Sequence, residues 1–136
     1  MTSDVERVAA LLADVMRDVE TTTSFCWSAR VGTYDEWVAE DPLAHMPHDG
    51  TMVTVYIDGD HFLLSFAVEL ALSNAEISTG LASAIQDEVI DELQGAWPLC
   101  PRHDHPLDAT VLHGLAVWTC PHDGSFVAAI GGLDAG

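Results

Sequence analysis

Met52-Val53-Thr54-Val55-Tyr56-Ile57-Asp58-Gly59-Asp60-His61-Phe62-Leu63-Leu64-Ser65-Phe66 is the stretch from which the fold is read. Two runs of β-branched, aromatic and aliphatic residues flank Asp58-Gly59. That dipeptide between such runs predicts an antiparallel hairpin with a tight turn at positive φ. A lone hairpin is marginal in water, so its apolar face needs a cover, and both flanks supply one. Downstream, Ser73 followed by Glu76 is a capping-box signature. It opens a helix to about Leu93 with the stripe Ile77, Leu81, Ile85, Val89 and Leu93, and Gly95 stands where a C-cap is expected. Upstream, Ser3 with Glu6 repeats the signature. Val5, Val8, Leu12, Val15 and Val19, with Ala9 and Met16 beside them, give one apolar helical face over about 4–20. The Thr21-Thr22-Thr23 run ends that helix, because β-branched residues prefer extended backbone.

Residues 24–31, carrying Phe25, Trp27 and Val31, read as a strand. Residues 33–41 read as one or two helical turns with Tyr34, Trp37 and Val38 inward, and 41–50 as a loop rich in Pro, His and Gly. Residues 1–96 are therefore expected to form an α+β body, an antiparallel sheet covered by two helices. Trp97-Pro98 marks a boundary, and 97–136 is expected to form a small β subdomain. In it, Asp108–Leu112 and Leu115–Thr119 flank the turn His113-Gly114, and Ser125–Ile130 supplies a third strand. Trp97, Trp118, Val111 and Val117 are its expected apolar support.

Chemistry and spacing coincide in that segment. Cys100-Pro101-Arg102-His103 and Cys120-Pro121-His122-Asp123 each set a cysteine three residues ahead of a second ligand-type side chain. A Cys-x-x-ligand turn brings both side chains to one side of the loop, and two such turns can supply the four ligands of a tetrahedral zinc site. The expected metal ligands are Cys100, His103, Cys120 and Asp123, with His105 and His122 as alternates. Gly124 is placed to take the positive φ that follows the second turn.

Over residues 97–131 the order knuckle, hairpin, knuckle, third strand resembles the zinc-ribbon or rubredoxin-like knuckle families. Those families normally read Cys-Pro-x-Cys-Gly at each knuckle. Here His103 and Asp123 stand in place of the second cysteines, and only the second knuckle keeps its glycine. The resemblance implies a structural zinc ion. The segment is also similar to a Trp-Pro-x-Cys-Pro turn in small actinobacterial proteins, which carries no activity over.

Charge excludes several functions. Twenty-two acids stand against four arginines (Arg7, Arg17, Arg30, Arg102), with no lysine, for a net charge of -18. Phosphate neutralisation needs cations, so direct nucleic-acid binding and anionic membrane surfaces are both excluded. No apolar run is long enough for a membrane helix. The acidic N-terminus, with no apolar signal core, predicts a cytoplasmic protein. Cys26 reads as a small buried hydrophobe, and in that compartment Cys100 and Cys120 are expected to hold a metal rather than a disulfide.

The His45-Met46-Pro47-His48-Asp49 cluster reads as a solvated loop, Asp58 as turn chemistry, and Asp60 and His61 as an exposed edge. No helical His-Glu-x-x-His pair, phosphate-binding glycine loop or nucleophile elbow is present, so no catalytic residue is assigned. The expected role is a non-enzymatic protein-interaction module with a structural zinc site. The alternatives are an acidic nucleic-acid mimic that inhibits a basic protein, and a zinc-dependent hydrolase.

Overall fold

A computed structural model describes residues 4–33, 52–59 and 62–134. Among them are two helices and two three-stranded antiparallel sheets, an α+β architecture as the sequence predicts. The helices are α1 (Asp4–Thr22) and α2 (Asn74–Leu93). The first sheet orders β1 (Ser28–Thr33), β2 (Met52–Asp58) and β3 (Leu63–Glu69). The second orders β4 (Asp108–Leu112), β5 (Leu115–Thr119) and β6 (Phe126–Ala129). The helical turns expected at 33–41 (Thr33 ends β1), the loop at 41–50 with its His45–Asp49 cluster, and Ser3, Asp60 and His61 lie outside the described residues.

α1 buries Val8, Leu12, Val15, Met16 and Val19, the face its periodicity predicts. At its end the Thr22 and Thr23 hydroxyls donate back to the carbonyls of Asp18 and Val19, at 2.6 and 2.7 Å. The Val19 carbonyl also accepts the Thr23 N–H at 2.9 Å, so the hydroxyls bond back onto the last turn and add to its backbone bonds. Beyond the helix the chain alternates. Phe25 and Trp27 stack at 4.8 Å with Trp27 buried, which turns Cys26 outward. Cys26 is thus exposed, not buried as expected.

The hairpin forms in the register Asp58↔Leu63, but its turn is longer than the tight one expected. Gly59 does not adopt positive φ. Its N–H donates to the Phe62 carbonyl at 3.0 Å, and the Phe62 ring lies where a Cβ would stand. The glycine serves close approach rather than left-handed backbone. At α2 both halves of the Ser73–Glu76 capping box are made. The buried stripe runs Ile77, Leu81, Ile85 and Val89 and stops there, with Leu93 43% exposed. Gln94, not Gly95, takes the left-handed C-cap conformation.

α1 lies on β1 and β2, α2 lies on β4 and β5, and the helices pack on each other. One apolar cluster runs through all of them, from Val8 and Val55 through Ile85 to Trp97, Trp118, Ile130 and Leu133. Trp97 and Trp118 meet edge-on at 5.6 Å, while Val111 is exposed on the solvent side. The joint between α1 and the C-terminal strands is polar. Asp18, fully buried, accepts from Trp118 Nε1 at 2.9 Å and from the backbone N–H groups of Gly131 and Leu133 at 2.7 and 3.0 Å. Gly131, at φ 96°, comes so close to α1 that a Cβ there would stand 2.9 Å from the Asp14 Cβ.

Asp18→Ala would leave the buried Trp118 and Leu133 donors and the half-buried Gly131 N–H without an acceptor, and each buried group so orphaned costs about 1–3 kcal/mol. Allowing for non-additivity, urea unfolding should show a loss on the order of 3 kcal/mol. A change smaller than about 1 kcal/mol would mean that this joint does not hold the C-terminal sheet.

Candidate metal centre

The segment after α2 is closed by its own backbone. Trp97 Nε1 donates to the Thr22 hydroxyl at 2.8 Å, fixing the start of the segment on the end of α1. The Gln86 amide, from the middle of α2, donates to the carbonyls of Trp97 and Leu107 at 3.0 and 2.6 Å and so holds both ends of the loop. Between them Leu107 N–H bonds to Pro98, Cys100 N–H to the His105 carbonyl at 3.0 Å, and Leu99 bridges Pro106. This narrow loop turns Cys100, His103 and His105 to one side. The second knuckle is the tip between β5 and β6. Cys120 N–H bonds to Ser125 at 2.9 Å and Gly124 N–H to Cys120 at 2.7 Å, with Gly124 at φ 74°, the conformation expected of it.

The two turns face each other. Cys100, His103, His105 and Cys120 each present one ligand atom, and these atoms lie within 4.8 Å of one another. His103 Nδ1 is 3.4 Å from both the Cys100 and the Cys120 sulfur, and His105 Nε2 is 3.8 Å from the Cys120 sulfur. Zn–S bonds of about 2.3 Å and Zn–N bonds of about 2.0–2.1 Å at tetrahedral angles require S···N edges of roughly 3.5 Å. The observed separations bracket that value. The donor set is two sulfurs and two imidazole nitrogens, a combination suited to zinc and other borderline-to-soft metals.

Both cysteines are buried and both histidines half-buried. Burial pushes the Cys120 thiol above its ordinary value of 9.0, while the backbone N–H groups of Asp123 and His122 at its sulfur pull the other way. Those N–H groups stabilise a thiolate, the form that binds metal.

Three of the four expected ligands are thus brought together, and the fourth position belongs to His105, one of the alternates. Asp123 is turned to its own loop. Its carboxylate accepts from the Ser125 N–H at 2.9 Å and pairs with Arg102 at 3.2 Å, and Arg102 also donates to the Ser125 hydroxyl. The Ser125 side chain and N–H, with smaller help from Cys120 and Arg102, hold the Asp123 carboxyl far below its ordinary value. His122 packs against the His103 ring at 4.8 Å and lies 6.3 Å from that of His105, at the rim of the cluster. His105 stands two residues after His103 in the same knuckle, within the bend that follows Cys100. Gln86, which sets the loop, carried no signal in the sequence. Asp58 is exposed at the end of β2, away from the cluster.

Compared with protein families, curated proteins and solved structures, the chain has no match. Among the described residues no helix is long and apolar enough to cross a membrane.

Titration with Co2+, whose visible absorption reports tetrahedral sulfur–nitrogen coordination, separates the two candidate fourth ligands. His105→Ala should weaken binding by more than about 100-fold, beyond the 10- to 100-fold typical of partners outside the coordination shell. Asp123→Asn should stay within about 10-fold of the parent chain. The reverse ranking would return Asp123 to the site.

Proposed function

We propose that the chain is a small acidic protein-interaction module whose C-terminal part is a zinc-ribbon-like knuckle fixed by a structural zinc ion. Cys100, His103, His105 and Cys120 are the ligands in this reading. The observation that carries it is closure: four side chains converge on one point from two separate turns. A catalytic zinc keeps one position for water or substrate, and a structural zinc fills all four with protein. Two buried thiols and two half-buried rings match the second description. When bound, the ion supplies cross-linking between the two knuckles, and structural sites of this type stabilise by on the order of 10 kcal/mol.

An interaction role follows from what surrounds such a site. A net charge of -18 favours encounter with basic surfaces and opposes contact with nucleic acid. Large apolar side chains left in solvent, among them Leu93, Leu99, Leu115 and Phe126, offer contact area that burial within the chain does not use.

Mass spectrometry of the chain purified without added metal should find one zinc per chain, and X-ray absorption should find two sulfur and two nitrogen neighbours. Chelation should accelerate amide exchange first at 98–107 and 120–125, while the middle of α2 stays protected. Absence of metal, or a zinc with a water ligand, would falsify the structural reading.

A further inference from the structure

We propose that the groove beside the first knuckle is a docking site for a basic, aliphatic segment of a partner protein, one that interleaves Lys or Arg with Leu-type side chains. This rests on the protein-interaction reading above. The groove has a volume of about 600 Å³ and lies between the ends of both helices and the loop 96–104. That size is within the range of sites that take several side chains. Its floor is Trp97 and Leu133, both buried, and its lips are Leu93 and Leu99, 43% and 57% exposed. Two large, exposed aliphatic side chains in the lining of one cleft are a contact surface for apolar groups.

Electrostatics select the rest of the occupant. Thr22 and Leu93, the last residues of α1 and α2, both line the groove, so both helices direct their partially negative ends into it. Neither helix has a basic residue in its last turn to offset that charge. Asp104 and Asp134 are exposed at the rim, and Arg102, the one arginine in the lining, is engaged with Asp123 and Ser125. A cation entering the groove meets the C-terminal ends of both helices and the Asp104 and Asp134 carboxylates. A second copy of this chain, itself strongly acidic, would be repelled. Cys100 and His103 belong to the groove wall as well as to the metal cluster, so the centre holds that wall in shape.

The test titrates the 15N-labelled, metal-loaded full chain with short synthetic peptides of alternating Lys–Leu, Glu–Leu or Lys–Ser sequence, and with spermidine as a cation lacking apolar groups. The Lys–Leu peptide should bind best, weaken with salt, and shift the amides of Thr22, Leu93–Leu99, His103 and Asp104. Leu93→Ser with Leu99→Ser should weaken it at least about 10-fold, and Asp104→Asn with Asp134→Asn should flatten the salt dependence. All four positions are exposed, so these variants keep the fold, and an unchanged zinc content verifies it.

Equal binding of Lys–Ser peptide or spermidine would overturn the proposal. So would shifts centred on Leu112, Leu115 and Phe126 of the outer β4–β6 face, an outcome that leaves the interaction reading standing. Binding of no peptide anywhere on the chain would remove both. Zinc content, measured on the same sample, decides the metal reading separately.

Discussion

A single buried carboxyl group, that of Asp18, sets where everything after α2 can go. A carboxyl group taken out of water is costly unless donors surround it, and the donors it meets would be costly if left alone. Trp118 Nε1, Gly131 N–H and Leu133 N–H therefore depend on Asp18 as much as it depends on them. Trp118 lies in β5, and Cys120 follows directly after the strand, buried in the same apolar cluster. The edge contact of Trp118 with Trp97 then brings in the start of the other knuckle, which Thr22 and Gln86 hold from the helix side. The four ligand atoms meet because this relay of one carboxyl and two indoles places both turns before any metal is considered.

That order of dependence separates this chain from minimal zinc domains, whose metal stands in for a core. Here Cys100 and Cys120 are members of the same apolar cluster as Val15, Ile85 and Leu107. The cluster buries helices and strands from both ends of the sequence, each aliphatic side chain contributing about 1.5–3 kcal/mol relative to exposure. At the rim of that core, backbone hydrogen bonds together with the Gln86, Arg102 and Asp123 side chains define the two short loops that carry the ligand-type residues.

Most of the fold was legible because local signals agreed with one another. The Ser73–Glu76 box, the Ile77–Val89 stripe and the His113-Gly114 turn each predicted an element that the structure contains. Failures came where a through-space neighbour decided. Gly59 yields to the Phe62 ring, which no spacing rule reports. Leu93 continues the helical period but falls beyond the partner surface that would bury it. At the cluster, Cys-x-x-ligand spacing pointed to Cys100, His103 and Cys120, which the structure brings together with His105, and to Asp123, which it holds in its own loop. Asp123-Gly124-Ser125 is an Asx-turn composition, and that local bond captured the carboxylate first. Asp18 lies one turn after Val15 and is the one polar side chain among the buried residues of α1. An acid so placed calls for buried donors, although nothing in the sequence says that Trp118 supplies one.

In the structural reading proposed above, four side chains close the centre and leave no position for a reactant, so its influence is mechanical. Its reach is short, since the ligands sit on two loops braced by α2 and by the Asp18 joint. Cys100 and His103 are the exception, because each also lines the open groove. In the readings proposed above, metal occupancy and groove shape are linked through the same two residues, and by reciprocity an occupant that prefers the ordered wall tightens the metal. The acids concentrate this linkage rather than dilute it. With Arg102 tied to Asp123, the region between the two helix ends keeps its negative potential whether or not the neighbouring loop is in contact with a partner.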